Sequence, residues 1–534
     1  MKHPTFHLIT LCKTLEQLHQ IHAQSYTTGL ITNYPSLTLT KILYTLTLIT
    51  NPSSPSTCLN YALCVFNQIP NRSTFSYNTI IRLYTLLSSP SSALHFFAKM
   101  RQLSVPPDTH TFPFAIKAST HANDILLGRT LHCQVMKFGF NGDMFVRNTL
   151  INLYSNLSCL VDACKVFDES PQRDVVSYNA MIHGYVKGGD MRRAKQVFDM
   201  MPFKDNVSWG TLITGYAQTS KCDDAIGLFN QMCGLGLKPD NVALVSALSA
   251  CAQCGGLEQG KVIHKYIERN GIQCNAFLLT ALVDMYAKCG SINIAKDIFD
   301  TSSNKNRNLF TWNAMLVGFS MHGLGDLTLE YFTKMKEFGV QPDGVSFLGV
   351  LIGCSHMGLV DKASQIFHEM ESVYGVQREL KHYGCMADLL GRAGLIKETM
   401  AMIERMPMKG DVFVWGGLLG GCRIHGNVEV AEIAAEKIME LDPEDGGVYT
   451  VMANIYATRR RWEKVSKMRK LMEARNVSMN AGCSLIQEEG VTHEFIAGDG
   501  LHPQSDEIYY VLDRMHVVQV GDFSTFDGHQ FEAV

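Results

Sequence analysis

One phrase recurs along this chain of 534 residues, and its recurrence constrains the fold more than any other feature. "VVSYNAMIHGY" starts at Val175, and related phrases start at Thr74, Asn206 and Leu309. Aligned on this phrase, residues 74–411 divide into ten contiguous repeats of 31 to 36 residues. A fixed period of this size is typical of proteins in which each repeat contacts only its neighbours.

Each repeat contains two helical patterns. In the repeat that starts at Val175, a first apolar stripe runs through Ile182 and Tyr185, and a second contains Ala194 and Phe198. Because neither helix pair can cover its own apolar face, the repeats must stack on one another. The sequence therefore predicts an all-α protein, a right-handed α-solenoid of stacked helix-turn-helix repeats.

The composition excludes several classes of protein. Charged residues make up 18% of the chain, and the formal net charge is -3. Proteins that bind duplex DNA through its phosphates are usually far more basic. The sixteen cysteines form no compact framework, which indicates a reducing compartment. The longest uncharged stretch is interrupted at Pro52 and Pro55, so we expect no membrane span.

The repeat family is identified by its phrases, since tetratricopeptide repeats share a period of about 34 residues. The phrases are "VVSYNAMIHGY", "DACKVFDES", "VDMYAKCGSINIAKDIF" and "MKEFGVQPD". They closely resemble the pentatricopeptide repeat (PPR) family. The alternation of repeat lengths is similar to that of its plant PLS subfamily, which combines P, L and S repeat types. The resemblance covers nearly the whole chain.

The resemblance implies four regions. Residues 1–73 contain degenerate L- and S-type repeats, and residues 74–411 form the PPR array. Residues 412–482 resemble the E-type extension motifs of the family. Residues 483–534 resemble the truncated start of its deaminase-like DYW domain, followed by a tail.

A zinc deaminase needs a His or Cys ligand, a nearby Glu and a downstream C-x-x-C. Here His493 directly precedes Glu494, and no cysteine follows Cys483. We therefore expect no catalytic residue, no bound metal, no cofactor and no enzymatic activity in this chain.

Three other patterns are expected to be structural. Gly255 to Val262 nearly matches a phosphate-binding loop, but Val262 lacks the hydroxyl that would hold Mg²⁺. Cys251 and Cys254 have no second ligand pair at zinc-finger spacing. Three histidines occupy the same place in different repeats and should not converge on one site: His22, His132 and His264.

The candidate binding residues are the fifth and the last residue of a repeat. Asn carries a donor and an acceptor, and an ionised Asp is an acceptor only, so such a pair can read a base edge. The resemblance implies that each repeat reads one base of single-stranded RNA. The pairs are Asn78 with Asp108, Asn148 with Asp174, Asn179 with Asp205, Thr280 with Asn308, and Asn313 with Asp343; Asp240 follows a repeat whose fifth residue is Gly210.

The second residue of these repeats is apolar. The resemblance implies that these side chains stack on the bases, and they are Phe75, Phe145, Val176, Phe277 and Phe310. Other repeats are expected to be poor readers because their fifth residue cannot hydrogen-bond a base, namely those with Pro113, Gly210, Val245, Leu348 and Gly384.

Helix capping is the alternative explanation of this pattern. Asn is a favoured N-cap residue, and an Asp before the next repeat could have the same role. Capping explains less well why both members of one pair, Thr280 and Asn308, differ from the Asn and Asp of the other pairs.

The implied function is recognition of a site for C-to-U RNA editing in an organelle, with the mitochondrion slightly favoured over the chloroplast. A DYW-type deaminase and other organellar editing cofactors would act in trans. The alternatives are an organellar RNA splicing or stabilisation factor, and a protein-binding scaffold without RNA. The family's rules relate Asn–Asp to uracil or, less well, cytosine, and Thr–Asn to adenine. The resulting footprint is a pyrimidine at −6, adenine at −7, and pyrimidines at −10, −11 and −13 from the edited cytidine.

Overall fold

The structure is a computed structural model that describes residues 4–49, 55–170, 172–475, 477, 483–488, 491–496, 500 and 502–521. It contains two compact bodies, Met1–Gly256 and Leu257–Val534.

The N-terminal body is helical throughout its described residues. Its α-helices are α1 (Pro4–Leu11), α2 (Leu15–Thr27), α3 (Leu30–Asn33), α4 (Pro35–Leu46), α5 (Pro55–Gln68), α6 (Thr74–Leu86), α7 (Pro90–Gln102), α8 (Thr111–His121), α9 (Ile125–Phe138), α10 (Met144–Asn156), α11 (Leu160–Asp168), α12 (Val175–Lys187), α13 (Met191–Asp199), α14 (Asn206–Gln218), α15 (Cys222–Gly234) and α16 (Asn241–Cys254), with a short 3₁₀ turn at Phe140–Gly142.

The C-terminal body continues the helical repeats and adds one hairpin. Its elements are α17 (Leu257–Arg269), α18 (Ala276–Lys288), α19 (Ile292–Thr301), α20 (Leu309–Met321), α21 (Gly325–Glu337), α22 (Gly344–Met357), α23 (Val360–Ser372), α24 (Leu380–Arg392), α25 (Ile396–Glu404), α26 (Val412–His425), α27 (Val428–Leu441), α28 (Gly446–Thr458), α29 (Trp462–Ala474), β1 (Cys483–Glu488), β2 (Val491–Ile496) and α30 (Ser505–Gly521), with a 3₁₀ turn at Asn304–Asn306.

The first helices of neighbouring repeats form one layer in each body. In the N-terminal body, α6, α8, α10, α12, α14 and α16 pack side by side in that order, and each second helix packs on its own first helix. In the C-terminal body the same layer consists of α18, α20, α22, α24 and α26. The prediction of an all-α solenoid of stacked helix pairs is confirmed for the repeats.

The helices begin where the recurring phrase predicts. Nine of the ten predicted repeats start at the first residue of a helix, and the exception is the repeat at Thr109, whose helix starts at Thr111. The predicted break at Gly188 and Gly189 is also present, and Gly189 has a φ of +75° between α12 and α13. Glycine adopts this left-handed conformation without steric cost.

The strands β1 and β2 are an addition to the all-α prediction. They form an antiparallel hairpin in which Cys483 pairs with Ile496. His493 of this hairpin lies 2.9 Å from His502, measured between Nδ1 and Nε2. Across the described ranges, no helix combines the length and apolarity needed to cross a membrane.

Helices α24 and α26 approach each other unusually closely. A Cβ atom built on Gly417 would lie 2.7 Å from the backbone nitrogen of Asp388, and one on Gly421 would overlap the backbone of Gly391. Gly420, the neighbour of Gly421 on the same helix, has open space around its Cβ position. Backbone contact at Gly417 and Gly421 therefore sets the position of α26 against the last helix pair of the array.

This contact predicts opposite effects of one substitution at adjacent residues. Gly421→Ala should destabilise the protein by about 1–3 kcal/mol, because the added methyl must displace the backbone of α24. Gly420→Ala should be neutral or stabilise by up to about 1 kcal/mol, because alanine has the higher helix propensity. Denaturant unfolding followed by circular dichroism compares the two variants, and equal stabilities would contradict the close packing.

Candidate functional site

The fifth and the last residue of a repeat meet where two neighbouring first helices adjoin. In four repeats the Asn side chain donates a hydrogen bond from Nδ2 to the Asp carboxylate. The distances are 2.8 Å for Asn78–Asp108, 3.0 Å for Asn148–Asp174, 3.1 Å for Asn179–Asp205 and 2.9 Å for Asn313–Asp343. We call each such pair with its surroundings a joint.

The Asp of each joint also caps the next helix. Oδ1 of Asp174 accepts a hydrogen bond from the backbone N–H of Ser177 at 2.8 Å, and Asp343 accepts one from Ser346 at 2.9 Å. The capping alternative is therefore right for the last residue. It does not hold for the fifth residue, because Asn78 and its equivalents lie in the second turn of their helices.

The two roles coexist because one carboxylate oxygen can accept more than one hydrogen bond. Among the described residues, the hydrogen bonds accepted by the side chains of Asp108, Asp205 and Asp343 all end on Oδ1. Oδ1 of Asn78 accepts from the hydroxyl of Thr111 at 2.7 Å. These three joints thus leave the Asp Oδ2 acceptor and one N–H of the Asn amide for a ligand, whereas Asn148 donates to both oxygens of Asp174.

The carboxylates of Asp108 and Asp205 are held in their charged form. Burial alone would raise the pKa of Asp108, but hydrogen bonds from Asn78 and Thr111 outweigh it and lower the pKa below its ordinary value. The same balance lowers the pKa of Asp205, where Ser208 and Asn179 donate the hydrogen bonds. These groups are therefore acceptors only at neutral pH.

The Thr280–Asn308 pair has a different geometry. Oγ1 of Thr280 lies 2.8 Å from the hydroxyl of Thr311, which in turn donates to Oδ1 of Asn308 at 3.0 Å. Asn308 also caps α20 through the N–H of Thr311 at 3.1 Å. The two residues are linked through Thr311, and the Asn308 amide replaces the charged carboxylate of the other joints.

The joint at Gly210 lacks a fifth-residue side chain. A Cβ atom there would have Asp240 Oδ1 as its nearest neighbour, at 3.7 Å, with Val242 at 3.9 Å. Asp240 caps α16 through the N–H of Ala243 at 2.9 Å. Val242 is the second residue of the following repeat. Because it lies so close to the Gly210 position, that residue borders the joint.

The apolar second residues point into solvent. The five predicted side chains are between 54% and 69% exposed, and they are Phe75, Phe145, Val176, Phe277 and Phe310. Apolar side chains that are exposed at a fixed repeat position mark an interaction surface. Four further residues at the same position are also exposed and were missed by the sequence analysis, although they share its register: Val207, Val242, Val345 and Phe413.

The three repeated histidines have a common structural contact. Each ring Nδ1 lies within hydrogen-bond distance of a tyrosine hydroxyl, and the pairs are His22–Tyr61 at 2.6 Å, His132–Tyr154 at 2.9 Å and His264–Tyr286 at 3.0 Å. Burial lowers the pKa of all three histidines below the ordinary value of 6.5. They stabilise the packing of separate repeats and do not form a shared site.

The remaining candidate patterns lie in helices. Gly255 ends α16 with a φ of +70°, and Leu257 already begins α17, so no strand precedes the phosphate-loop-like sequence. Cys251 is fully buried, whereas Cys254 is exposed. Within the described residues, no group of three or more His, Cys, Asp or Glu side chains could hold a metal ion.

Sequence comparison identifies the family. A pentatricopeptide repeat-containing protein of Arabidopsis thaliana is 52% identical over 491 residues, which cover 90% of this chain and 98% of the relative. The chain belongs to the pentatricopeptide repeat family. A second Arabidopsis PPR protein, named chloroplastic, is 35% identical over 97% of this chain and 82% of its own length. A third, named chloroplastic/mitochondrial, is 36% identical over 95% and 76%.

Family motifs cover both the array and the region after it. The PPR repeat matches residues 75–105, 145–175, 176–205, 310–340, 345–373 and 381–411, the PPR repeat family matches 204–253, and the E motif matches 425–487. The protein is therefore a PPR protein with an E-type extension.

The fold is similar to that of a solved PPR protein. PPR10 from maize superposes with a TM-score of 0.51 and 18% identity, covering 89% of this chain and 69% of PPR10. PPR10 in complex with an 18-nt psaJ RNA element gives a TM-score of 0.58 with 15% identity, covering 89% and 74%. At this level of identity the similarity shows the helical-repeat fold.

The partly buried histidines His132 and His264 predict a loss of stability in mild acid. Because their pKa values are lower in the folded than in the unfolded chain, unfolding takes up protons as the pH falls below about 6.5. The melting temperature should fall between pH 7.5 and 5.5, and less steeply in a variant with His132→Gln and His264→Gln. The exposed residue His110, changed to Gln, is the control and should leave the slope unaltered. If the melting temperature of the double variant fell with pH as steeply as that of the parent protein, the loss of stability would not be due to these histidines.

Capping and ligand reading can be separated at Asp343. Asp343→Ala should destabilise the protein by about 0.5–2 kcal/mol, because the cap of α22 is lost. Asp343→Asn should keep its stability, since Asn308 caps the preceding first helix in the same way. Denaturant unfolding of both variants checks this, and equal losses would show that the cap needs the charge.

Proposed function

We propose that this PPR protein binds single-stranded RNA in a sequence-specific manner, with one base at each joint. The observation that carries the proposal is the repeated combination of one free donor, one free acceptor and an exposed apolar side chain. Asn313, Asp343 and Phe310 form one example in the C-terminal body. Base edges need such donors and acceptors, and base faces need such apolar surfaces.

The chemistry of the Asn–Asp joint favours pyrimidines. Uracil presents an N3–H donor to the Asp Oδ2 and a carbonyl oxygen to the Asn N–H. Cytosine offers its amino group and N3 in the same places. Stacking of the base on an aromatic side chain such as Phe310 contributes about 1–3 kcal/mol. The Thr280–Asn308 joint lacks the carboxylate, which supports its assignment to adenine.

Base recognition of this kind does not depend on a basic surface. The chain has a net charge of -3, and the joints contact base edges and faces through neutral or negative groups. Binding dominated by phosphate contacts weakens steeply with salt, by about one power of the salt concentration for each phosphate neutralised. We therefore expect a shallow dependence of RNA affinity on salt.

The E motif supports a role in C-to-U editing. It matches residues 425–487, which follow the array after a gap of residues 412–424. We propose that the array selects the cytidine and that a DYW-type deaminase, together with other organellar editing cofactors, acts in trans. The protein itself would be a binding factor without catalytic residues. Two relatives are named for the chloroplast, one of them also for the mitochondrion, which supports an organellar location.

Exchanging the residues of two adjacent joints tests this function. Asn313→Thr with Asp343→Asn should change the preferred base at position −6 from a pyrimidine to adenine, by roughly tenfold in affinity. The reciprocal variant, Thr280→Asn with Asn308→Asp, should change position −7 from adenine to a pyrimidine. Fluorescence anisotropy with RNAs that differ at one nucleotide measures both.

The reciprocal variant is the matched control, because both carry two conservative changes in neighbouring repeats. A shift at the expected nucleotide in each variant supports one base per joint in this register. If both variants bind RNA with unchanged base preferences, the proposal that the joints select the bases is refuted. Absence of RNA binding by the folded protein would favour a protein-binding scaffold.

A further inference from the structure

Positive charge is concentrated at the last helix pair of the E-type extension. Residues 459–475 include eight Lys and Arg residues and two Glu, a local net charge of +6 in a chain whose formal net charge is -3. They form the connection between α28 and α29, the helix α29 and its C-cap. All eight basic residues are exposed. This segment therefore differs from the joints, whose polar groups are neutral or negative.

Helix α29 is covered on one side only. Val465 is its one buried residue, and Met468 and Met472 are partly buried against the apolar core of the extension. At 3.6 residues per turn, Lys467 and Lys470 fall on the side opposite Val465. The basic residues of α29 are thus turned away from the core and toward solvent.

The surroundings neutralise only part of this charge. Lys464 forms an ion pair with Glu432 of the acidic helix α27 at 2.6 Å. Arg459 and Arg475 donate to a backbone carbonyl and to a tyrosine hydroxyl, both at 2.7 Å. Four further basic side chains have no ion pair or hydrogen bond within the described part of the chain, and they are Arg460, Lys467, Arg469 and Lys470.

Unpaired like charges on one helix destabilise it. Lys467 and Lys470 are three residues apart, a spacing at which two charges of the same sign repel each other. A bound polyanion would relieve this repulsion. The charge of α29 is therefore complementary to a chain of phosphates.

Trp462 adds an aromatic surface beside these cations. It is the first residue of α29 and is 64% exposed. Arg469 follows it by two helical turns and lies on the same side of the helix. Surfaces that bind single-stranded nucleic acid combine positive charge with exposed aromatic side chains, whereas protein interfaces are depleted in Lys. The composition of α29 thus favours RNA over an acidic protein.

The position of α29 agrees with the direction of the RNA in the proposed register. The assigned nucleotides run 5′ to 3′ from Asn78 to Asn313, so the RNA leaves the array at its C-terminal end. There α26 packs on α27, α27 on α28, and α28 on α29. The basic helix is therefore separated by two helices from the layer of first helices at which the footprint ends.

We propose that α29 and the preceding connection at Arg459–Arg461 bind the phosphates of the RNA segment that continues 3′ of the array, with Trp462 stacked on one of its bases. This inference rests on the proposed RNA binding. The contact does not select a sequence, because phosphates and base faces are available at every nucleotide. It adds a salt-dependent contribution that is confined to the 3′ segment, whereas the joints read bases with a shallow dependence on salt.

Two RNAs test this division by fluorescence anisotropy with the full chain. Both carry the predicted footprint; the short RNA ends at the nucleotide of the repeat at 380–411, and the long RNA continues 3′ with about eight uridines. The long RNA should bind more tightly. If about three phosphates are neutralised, its log–log salt slope should be steeper by about 2, so that a fourfold rise in salt reduces its advantage roughly fifteenfold.

Variants of α29 separate charge from stacking. The triple variant Lys467→Gln, Arg469→Gln and Lys470→Gln should remove the additional salt slope and most of the advantage of the long RNA, and leave the short RNA unaffected. Glutamine keeps a high helix propensity at these exposed positions. Trp462→Ala should weaken the long RNA by roughly tenfold without changing its salt slope, because stacking releases no counterions.

The matched control removes the same charge from a second helix of the array. It is the triple variant Arg192→Gln, Arg193→Gln and Lys195→Gln in α13, where Arg193 and Lys195 already pair with acidic residues. This variant should retain the advantage of the long RNA and its salt slope. Circular dichroism confirms that each variant is folded.

The outcomes distinguish this contact from the proposed function. Equal affinities and salt slopes of the two RNAs would overturn the α29 contact, and base preferences of the short RNA would then leave the proposed function standing. An advantage that the α29 triple variant retains would also overturn it. Binding of the long RNA alone, lost in that variant, would support the α29 contact and refute base reading by the joints. If the 3′ extension adds nothing while a labelled oligoglutamate peptide binds the parent protein and not the variant, the surface serves an acidic protein and the proposal is overturned.

Discussion

The hydrogen bond between a backbone N–H and the last carboxylate or amide of the preceding repeat is the interaction on which the structure depends. It starts most first helices of the array, as Asp174 does for α12 and Asp343 for α22, whereas the hydroxyl of Ser73 caps α6. At Asp108, Asp205 and Asp343 the same carboxylate oxygen, Oδ1, accepts both the capping N–H and the Asn amide. The residue that caps a helix thereby also lies at the joint, so that folding and the proposed base recognition use the same side chain.

This arrangement explains how a chain of low charge could bind a polyanion. The joints offer hydrogen bonds and apolar surface, and their carboxylates would repel phosphate if they faced it. In the proposed RNA binding, base specificity then depends on which fifth-residue side chain lies beside the capping residue. Asn supplies a donor, Thr280 acts through Thr311, and Gly210 supplies no side chain. The variation within one fold provides several different base environments.

The fold could be predicted from the sequence because the recurring phrase contains the cap and the first turn of each helix. At Thr109 the prediction misses by two residues, because a turn at Thr109 and His110, closed by a hydrogen bond from the N–H of Thr111 to the carbonyl of Asp108, precedes the helix. The indirect Thr280–Asn308 link and the glycine contacts of α26 could not be predicted. They depend on distances between helices, whereas periodicity gives only positions along one helix.

The most direct test of the central claim is an RNA selection with the purified full-length protein against a random library, followed by sequencing of the bound pool. The joints predict adenine followed immediately by a pyrimidine, with two adjacent pyrimidines ending two nucleotides before that adenine. Enrichment of this pattern would support one base per joint in the proposed register. Enrichment of no pattern by the folded protein would contradict the account and leave the joints as helix caps.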